Sequence, residues 1–287
     1  MTTLAKIAHY HDAFSPSEQK IAAFILHDPN QVISLSSQQL AQQAEVSQSS
    51  IVKFTQKIGF KGFTAFKLAV SEELGRKKAM GPGTEQQGLH NQITREDSLE
   101  VMAQKLAQEK QNSIVETTHA IDFAVLAKVV EAMDAAGTIQ LVGIGGSALV
   151  AKDLGYKLLK IGIPVIAEQD SHVQISVSQT LKAGDVQIVI SYSGRRKEVL
   201  LAAQTAKAKG AKVIAFTSLQ QSPLRELADW SLDTLAEETQ LRSSAISSRT
   251  AQNTLTDLLF LALIQKRDQE ANQLIKDTAE LIRNMNA

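Results

Sequence analysis

Along the first 77 positions apolar residues recur at intervals of three and four, and no stretch keeps the two-residue rhythm of a strand. Two of these helical segments stand close together. SSQQLAQQAEVS (36–47) opens on serine, and QSSIVKFTQKIG (48–59) follows after a tight connection. The second places Ile51, Phe54 and Ile58 on one face and Ser49, Ser50, Lys53, Gln56 and Lys57 on the other. Further on the grammar changes. Short β-branched runs at 138–143, 163–167, 186–191, 212–217 and 230–234 alternate with helical stretches beginning near Ser147, Arg196 and Pro223, which predicts a parallel sheet with helices on both faces. Residues 97–136 read as two helices, the first opening at Asp97 or Ser98 with Glu100 close behind, and 250–285 as a closing helical region. Between the halves, KKAMGPGTEQQGLHNQ (77–92) has Gly81-Pro82-Gly83 and little to bury, as a flexible linker would. The expected organisation is a two-domain chain. An all-α helix-turn-helix domain covers 1–77 with its motif at about 37–56, a linker covers 78–96, and a five-stranded parallel α-β-α domain covers 97–287 with its core at about 128–268.

Composition adds limits. At 287 residues and 44% hydrophobic, the chain can fill at least one sizeable core. Thirty basic residues balance thirty acidic ones, so attraction to a polyanion requires local clustering. Such clustering exists: no acidic residue lies between Glu45 and Glu72, while Lys53, Lys57, Lys61 and Lys67 do. The absence of cysteine excludes disulfides, thiolate nucleophiles and cysteine zinc sites, and the six histidines show no H-x-x-x-H pairing. Neither a metal nor a cofactor is expected. The polar start MTTLAKIAHYHDAF and the lack of an apolar run of about 18 residues point to a soluble, cytoplasmic protein.

The polar face of 48–59 carries what DNA recognition needs: amides for adenine edges, hydroxyls for base or phosphate, and amines for phosphate or guanine. Ser47, Gln48, Ser49, Ser50, Lys53, Gln56 and Lys57 form the candidate DNA-binding set. The alternative is an αα-hairpin of a helical bundle with a solvated lysine face.

In the second half, Gly143-Ile-Gly-Gly-Ser147 ends the first strand, and its G-x-G-x-x-A pattern with Glu168 downstream resembles a dinucleotide turn. A helix N-terminus, however, suits any phosphate. The discriminating feature lies on other strands, which end in Ser191-Tyr-Ser193-Gly194 and in Thr217-Ser218. Three hydroxyl-rich strand ends on one sheet edge favour a compact sugar phosphate over a pyrophosphate. Each has a plainer reading, as helix cap or turn former. Proton-transfer chemistry would need a carboxylate or histidine beside the sugar, for which Glu168, His172, Glu237 and Glu238 are candidates; a ligand-operated switch needs none, and no catalytic residue is expected.

Residues 4–70, with SPSEQKIAAFIL, SSQQLAQQAEVSQSSIVKFTQKIGF and KGFTAFKLAV, resemble the N-terminal domain of the RpiR family of bacterial transcription regulators. Residues 97–270 resemble the SIS (sugar isomerase) domain. The resemblance implies that Gly143, Gly145 and Ser147, together with Ser191, Ser193 and Gly194, hold a phosphate; Gly146 is counted with the first turn. Thr217, Glu168 and His172 join the expected phosphosugar site. Arg196 stands where many members have a hydroxyl residue, and enters as a replacement contact. A closer similarity, over GIGGSALVAKDLGYKLLKIG and RSSAISSRTAQNTLTDLLF, to family members governing N-acetylmuramic acid catabolism implies a repressor. Its partners would be inverted-repeat operator DNA and N-acetylmuramic acid 6-phosphate as inducer, and its state a homodimer or homotetramer, without membrane association. Arg242 and Arg249 are open between a lactyl carboxylate, a subunit interface and helix caps. The other reading, a SIS-fold isomerase or etherase with a structural helical domain, stays open here.

Overall fold

The computed structural model describes residues 3–11, 14–80, 88–236 and 245–285. The chain divides into two compact units, Met1–Leu106 and Ala107–Ala287.

The first unit begins with six helices: α1 (Thr3–His9), α2 (Pro16–His27), α3 (Pro29–Ser34), α4 (Ser37–Gln43), α5 (Gln48–Lys57) and α6 (Phe63–Met80). Their starts follow from local chemistry. Ser15 and Glu18 form a capping box on α2, Ser36 and Gln39 another on α4, and Ser47 caps α5 through the Ser50 N–H. The turn between α4 and α5 passes through Glu45 at φ 53° and closes with the Val46 N–H donating to the Ala41 carbonyl at 2.9 Å. Ile21, Ile25, Leu40, Ile51, Phe54, Phe66 and Val70 are buried, and Phe14 meets Phe54 edge-on with centroids 5.1 Å apart.

Part of the expected linker is ordered. Residues 81–87, with Gly81-Pro82-Gly83, lie outside the described residues, but β1 (Gly88–His90) and β2 (Ile93–Thr94) pair antiparallel around Asn91, whose φ is 46°. Asparagine tolerates this left-handed turn position. Five paired residues are too few to register as strands in a polar stretch. The Asp97 carboxylate accepts from the Thr94 N–H and from Lys105 Nζ, each at 2.7 Å. The Lys105 hydrogen bond, then that from Thr94, holds the carboxyl below its ordinary range.

Helix α7 (Leu99–His119) spans the division into the second unit, which continues α8 (Phe123–Asp134), β3 (Ile139–Gly143), α9 (Gly146–Lys160), β4 (Val165–Ile166), α10 (Ser171–Ser178) and β5 (Val186–Ile190). Then follow α11 (Lys197–Ala208), β6 (Lys212–Thr217), α12 (Pro223–Leu227), β7 (Trp230–Asp233) and α13 (Ile246–Met285), interrupted at Asp268 by a non-helical φ of 39°. The sheet is parallel, in order β4-β3-β5-β6-β7. Side chains alternate across it. Ile139, Leu141, Val186, Ile188, Ile190, Ile214 and Phe216 pack with α8, α9 and α13, whereas Val142, Val189, Val213 and Ala215 pack with α11 and α12. All five expected strands form. Helix α10 has no counterpart in the sequence reading: Val173, Ile175 and Val177 alternate as in a strand, and Asp170 overrides them by capping the His172 and Val173 N–H groups at 2.9 and 3.0 Å.

Candidate functional site

On α5 the buried and exposed positions separate as the helical period requires: Ile51, Phe54 and Thr55 are buried, while Gln48, Ser49, Lys53, Gln56 and Lys57 are exposed and Ser50 half-buried. The polar members are not equivalent. Lys57 Nζ donates to Glu18 Oε2 at 2.8 Å and stands 5.6 Å from the centre of the Phe14 ring. Burial alone would raise the Glu18 carboxyl, but the Lys57 ammonium and the Ser15 N–H outweigh it and hold the group below its ordinary value. Gln48 Nε2 donates to Ser37 Oγ at 2.9 Å, and Ser47 Oγ lies 2.8 Å from the hydroxyls of Ser49 and Ser50. Lys53 and Gln56 carry no such tie among the described residues.

In the second unit three neighbouring strands deliver the expected residues to one edge of the sheet. Gly143 ends β3 in register with Ile190 of β5, and Ile190 pairs with Phe216 of β6. After Gly143 the chain turns through Gly145, at φ 61°, into α9. A side chain at Gly143 would place its Cβ 2.9 Å from the Ser147 carbonyl, so only glycine lets the first turn of α9 approach the strand this closely. The first N–H groups of α9 lack helical partners and carry a partial positive charge.

The loop after β5 is stitched to the end of β6. The Ser191 N–H donates to the Phe216 carbonyl, and the Tyr192 carbonyl accepts from the Ser218 N–H at 3.0 Å and from Thr217 Oγ1 at 3.2 Å. Gly194, at φ 61°, closes the loop; a Cβ there would lie 2.3 Å from Ser222 Oγ. Tyr192 is buried and its hydroxyl donates to the Ala236 carbonyl at 2.7 Å.

The predicted residues are thus spread over several elements. Gly143, Gly145, Gly146 and Ser147 form one wall, and Ser191, Ser193 and Gly194 line the neighbouring loop, with Ser191 buried and Ser193 half-buried. Thr217 is at the expected strand end, but it is fully buried and its hydroxyl donor is engaged by Tyr192, which makes it a brace of the loop. Glu168, on the segment between β4 and α10, and His172, in the first turn of α10, are both exposed, and Glu168 lines a cleft of about 260 Å³ shared with Lys152, Tyr156 and Leu159. Arg196 is exposed at the N-cap of α11 and makes no capping bond. Glu237, Glu238 and Arg242 lie outside the described residues. Arg249 behaves as a helix-start residue: its Nε donates to the Ala245 carbonyl at 3.3 Å, and its Cδ is 3.4 Å from where a Gly146 Cβ would be.

Several residues at this edge were missed from the sequence. Gln252 of α13, fully buried, donates to Ser147 Oγ at 3.2 Å. Arg225 pairs with Asp233, whose carboxyl burial raises despite the opposing guanidinium charge, and donates to the Ser218 carbonyl at 2.8 Å. Gln174 donates from Nε2 to the Gly143 carbonyl at 2.9 Å. Such long-range pairs leave no mark in local spacing. Among the described residues, no cluster of three or more His, Asp or Glu could hold a metal ion, and no helix is long and apolar enough to cross a membrane.

Residues 1–77 match the helix-turn-helix domain of the rpiR family, and residues 133–262 match the SIS domain. These two matches define the class, a transcription regulator of the RpiR type with a helix-turn-helix domain and a SIS domain in one chain. Among solved structures it is similar over 99% of its length to the NanR protein of Vibrio vulnificus complexed with ManNAc-6P, with 25% identity, 98% of that chain covered and a TM-score of 0.62. The sugar isomerase domain of an RpiR transcription factor from Sphaerobacter thermophilus covers 62% of this chain and 98% of its own at 21% identity and a TM-score of 0.56. A candidate sugar-phosphate isomerase from Listeria monocytogenes covers 62% and 96% at 22% identity, also with a TM-score of 0.56. The last two share the fold.

Proposed function

We propose that this chain is a repressor of genes for N-acetylmuramic acid uptake and catabolism, similar to MurR, which binds an inverted-repeat operator through α5 and is released when N-acetylmuramic acid 6-phosphate occupies the strand-end edge of its SIS domain. The observation that carries the sugar-phosphate part is that Ser147, Ser191 and Ser193, with two positive-φ glycines, follow the ends of adjacent strands. Hydroxyl and backbone donors at neighbouring strand ends suit a compact phosphate monoester. The NanR structure, complexed with ManNAc-6P, supports a sugar phosphate as ligand. N-acetylmuramic acid as the particular sugar rests on the sequence resemblance.

In this reading residues 1–77 read DNA, 78–96 connect, and 97–287 sense the ligand. A twofold operator requires two recognition helices about one DNA turn apart, hence a homodimer or homotetramer. The ligand needs no chemistry to act. If it binds the release-competent arrangement about 100-fold better, the operator loses roughly 2.7 kcal/mol of effective affinity.

The test is a duplex selected by the protein from randomised DNA, followed by fluorescence anisotropy with N-acetylmuramic acid 6-phosphate added. Dissociation is expected, with the sugar recovered intact. The isomerase or etherase reading draws on Glu168 and His172 beside the turn, and conversion of the sugar phosphate during the same incubation would replace the repressor reading with it.

A further inference from the structure

The sheet face that packs on α11 carries Val142, Val189, Val213 and Ala215, and beside them it holds two amides. Gln140 of β3 and Gln187 of β5 are register neighbours and only 1% and 0% exposed. Gln187 Nε2 donates to Gln140 Oε1 at 2.8 Å and to Ser178 Oγ at 2.9 Å, and Gln140 Nε2 donates to the Gln174 carbonyl at 2.6 Å. Gln174, 2% exposed, completes the series: its Nε2 donates to the Gly143 carbonyl at 2.9 Å and to the Glu168 carbonyl at 2.8 Å. Burying amides beside apolar side chains costs desolvation that apolar side chains of similar size would avoid, so their contribution is chiefly one of position.

Gln174 joins two backbone points that the sheet itself leaves apart. Gly143 is the first residue of the glycine turn. Glu168 follows an edge strand of two residues, whose pairing with β3 ends at Ile166. Beyond that pairing the loop is held by Asp170, which ties it to the start of α10, by a 3.5 Å contact from Lys152 Nζ to the Ala167 carbonyl, and by the Gln174 amide. Of these, the Gln174 amide alone bridges the loop to the glycine turn.

We infer that Gln174 is a positioning residue that fixes the 167–170 loop, with Glu168, and the first turn of α10, with His172, against the glycine turn, and so governs recognition of the sugar rather than of the phosphate. This rests on the proposed sugar-phosphate reading of that edge.

The test compares the full-length wild type with Gln174→Met and Gln187→Met by isothermal titration with N-acetylmuramic acid 6-phosphate and, separately, inorganic phosphate. Gln174→Met is expected to weaken the sugar phosphate about tenfold, the scale of one lost buried hydrogen bond, with inorganic phosphate unchanged within about twofold. Gln187→Met, in the same network but without contact to Gly143 or Glu168, is expected to leave both ligands unchanged. Equal losses for both ligands, no loss, or the same loss in Gln187→Met would overturn the inference while leaving the site in place. A wild type that does not prefer the sugar phosphate over inorganic phosphate overturns the reading of the site, and the inference with it. If Gln174→Met does not fold, Gln174→Ser is measured in its place with the same expectations.

Discussion

Gln252, enclosed in the second turn of α13, donates its amide to Ser147 Oγ at 3.2 Å, across 105 residues of chain. The hydroxyl at the start of α9 is therefore oriented from the far end of the domain. Gln252→Leu is expected to weaken sugar-phosphate binding by up to about tenfold, because Ser147 loses the partner that orients it, with operator affinity unchanged. Titration calorimetry and operator anisotropy on one preparation check both halves.

Ser193 is half-buried on the loop after β5, and its hydroxyl makes no hydrogen bond among the described residues. Ser193→Ala should cost little stability and leave operator affinity intact. The inducer concentration for half-release should rise about tenfold, as for one missing charge-assisted hydrogen bond. An unchanged release curve would remove Ser193 from the site.

Gly194→Ala is expected to be severe. A Cβ would lie 2.3 Å from Ser222 Oγ, and φ at 61° strains any side chain there. A loss of about 2–4 kcal/mol is expected, visible as a lower melting temperature, and Gly194→Ala combined with Ser222→Gly should recover part of it by removing the clash.

The two α5 lysines should behave differently. Lys53→Ala is expected to weaken operator binding and flatten the salt dependence by roughly one unit of slope. Lys57→Ala should change both less, since its ammonium is already engaged by Glu18. Equal effects in a salt titration of the two variants would show that Lys57 leaves Glu18 on binding.

The same pair carries a pH signature. The folded Glu18 carboxyl titrates below its ordinary value, since the Lys57 and Ser15 bonds outweigh the opposing burial effect. Its stabilising contribution is therefore complete above the unfolded carboxylate pKa and is lost as pH falls through the lowered folded value. Glu18→Gln should flatten the acid limb of melting temperature against pH, as differential scanning calorimetry would record.

The legible part of this molecule was local. The apolar, β-branched runs in TIQLVG and DVQIVIS marked β3 and β5, the serine at 36 marked a helix start, and Gly143, Ser147 and Ser193 stood out because strand-end turns have their own chemistry. What escaped were pairings set by tertiary contact. Gln140 and Gln187 interrupt apolar strands without revealing that they face each other across the sheet. Gln174 lies in a segment whose β-branched residues disguise a helix, and nothing in ISSRTAQ announces that Gln252 meets Ser147. Thr217 stands at the expected strand end, and spacing could not show that its hydroxyl donates to the Tyr192 carbonyl.

Tyr192 receives two hydrogen bonds on its carbonyl and anchors its ring hydroxyl to Ala236, so the loop carrying Ser191 and Ser193 is held at both backbone and side chain. Such a loop has little disorder to surrender when a guest arrives. If the proposed ligand docks there, its occupancy should track metabolite concentration without the delay of a folding step, and the regulator would act as a gauge that rises and falls with supply.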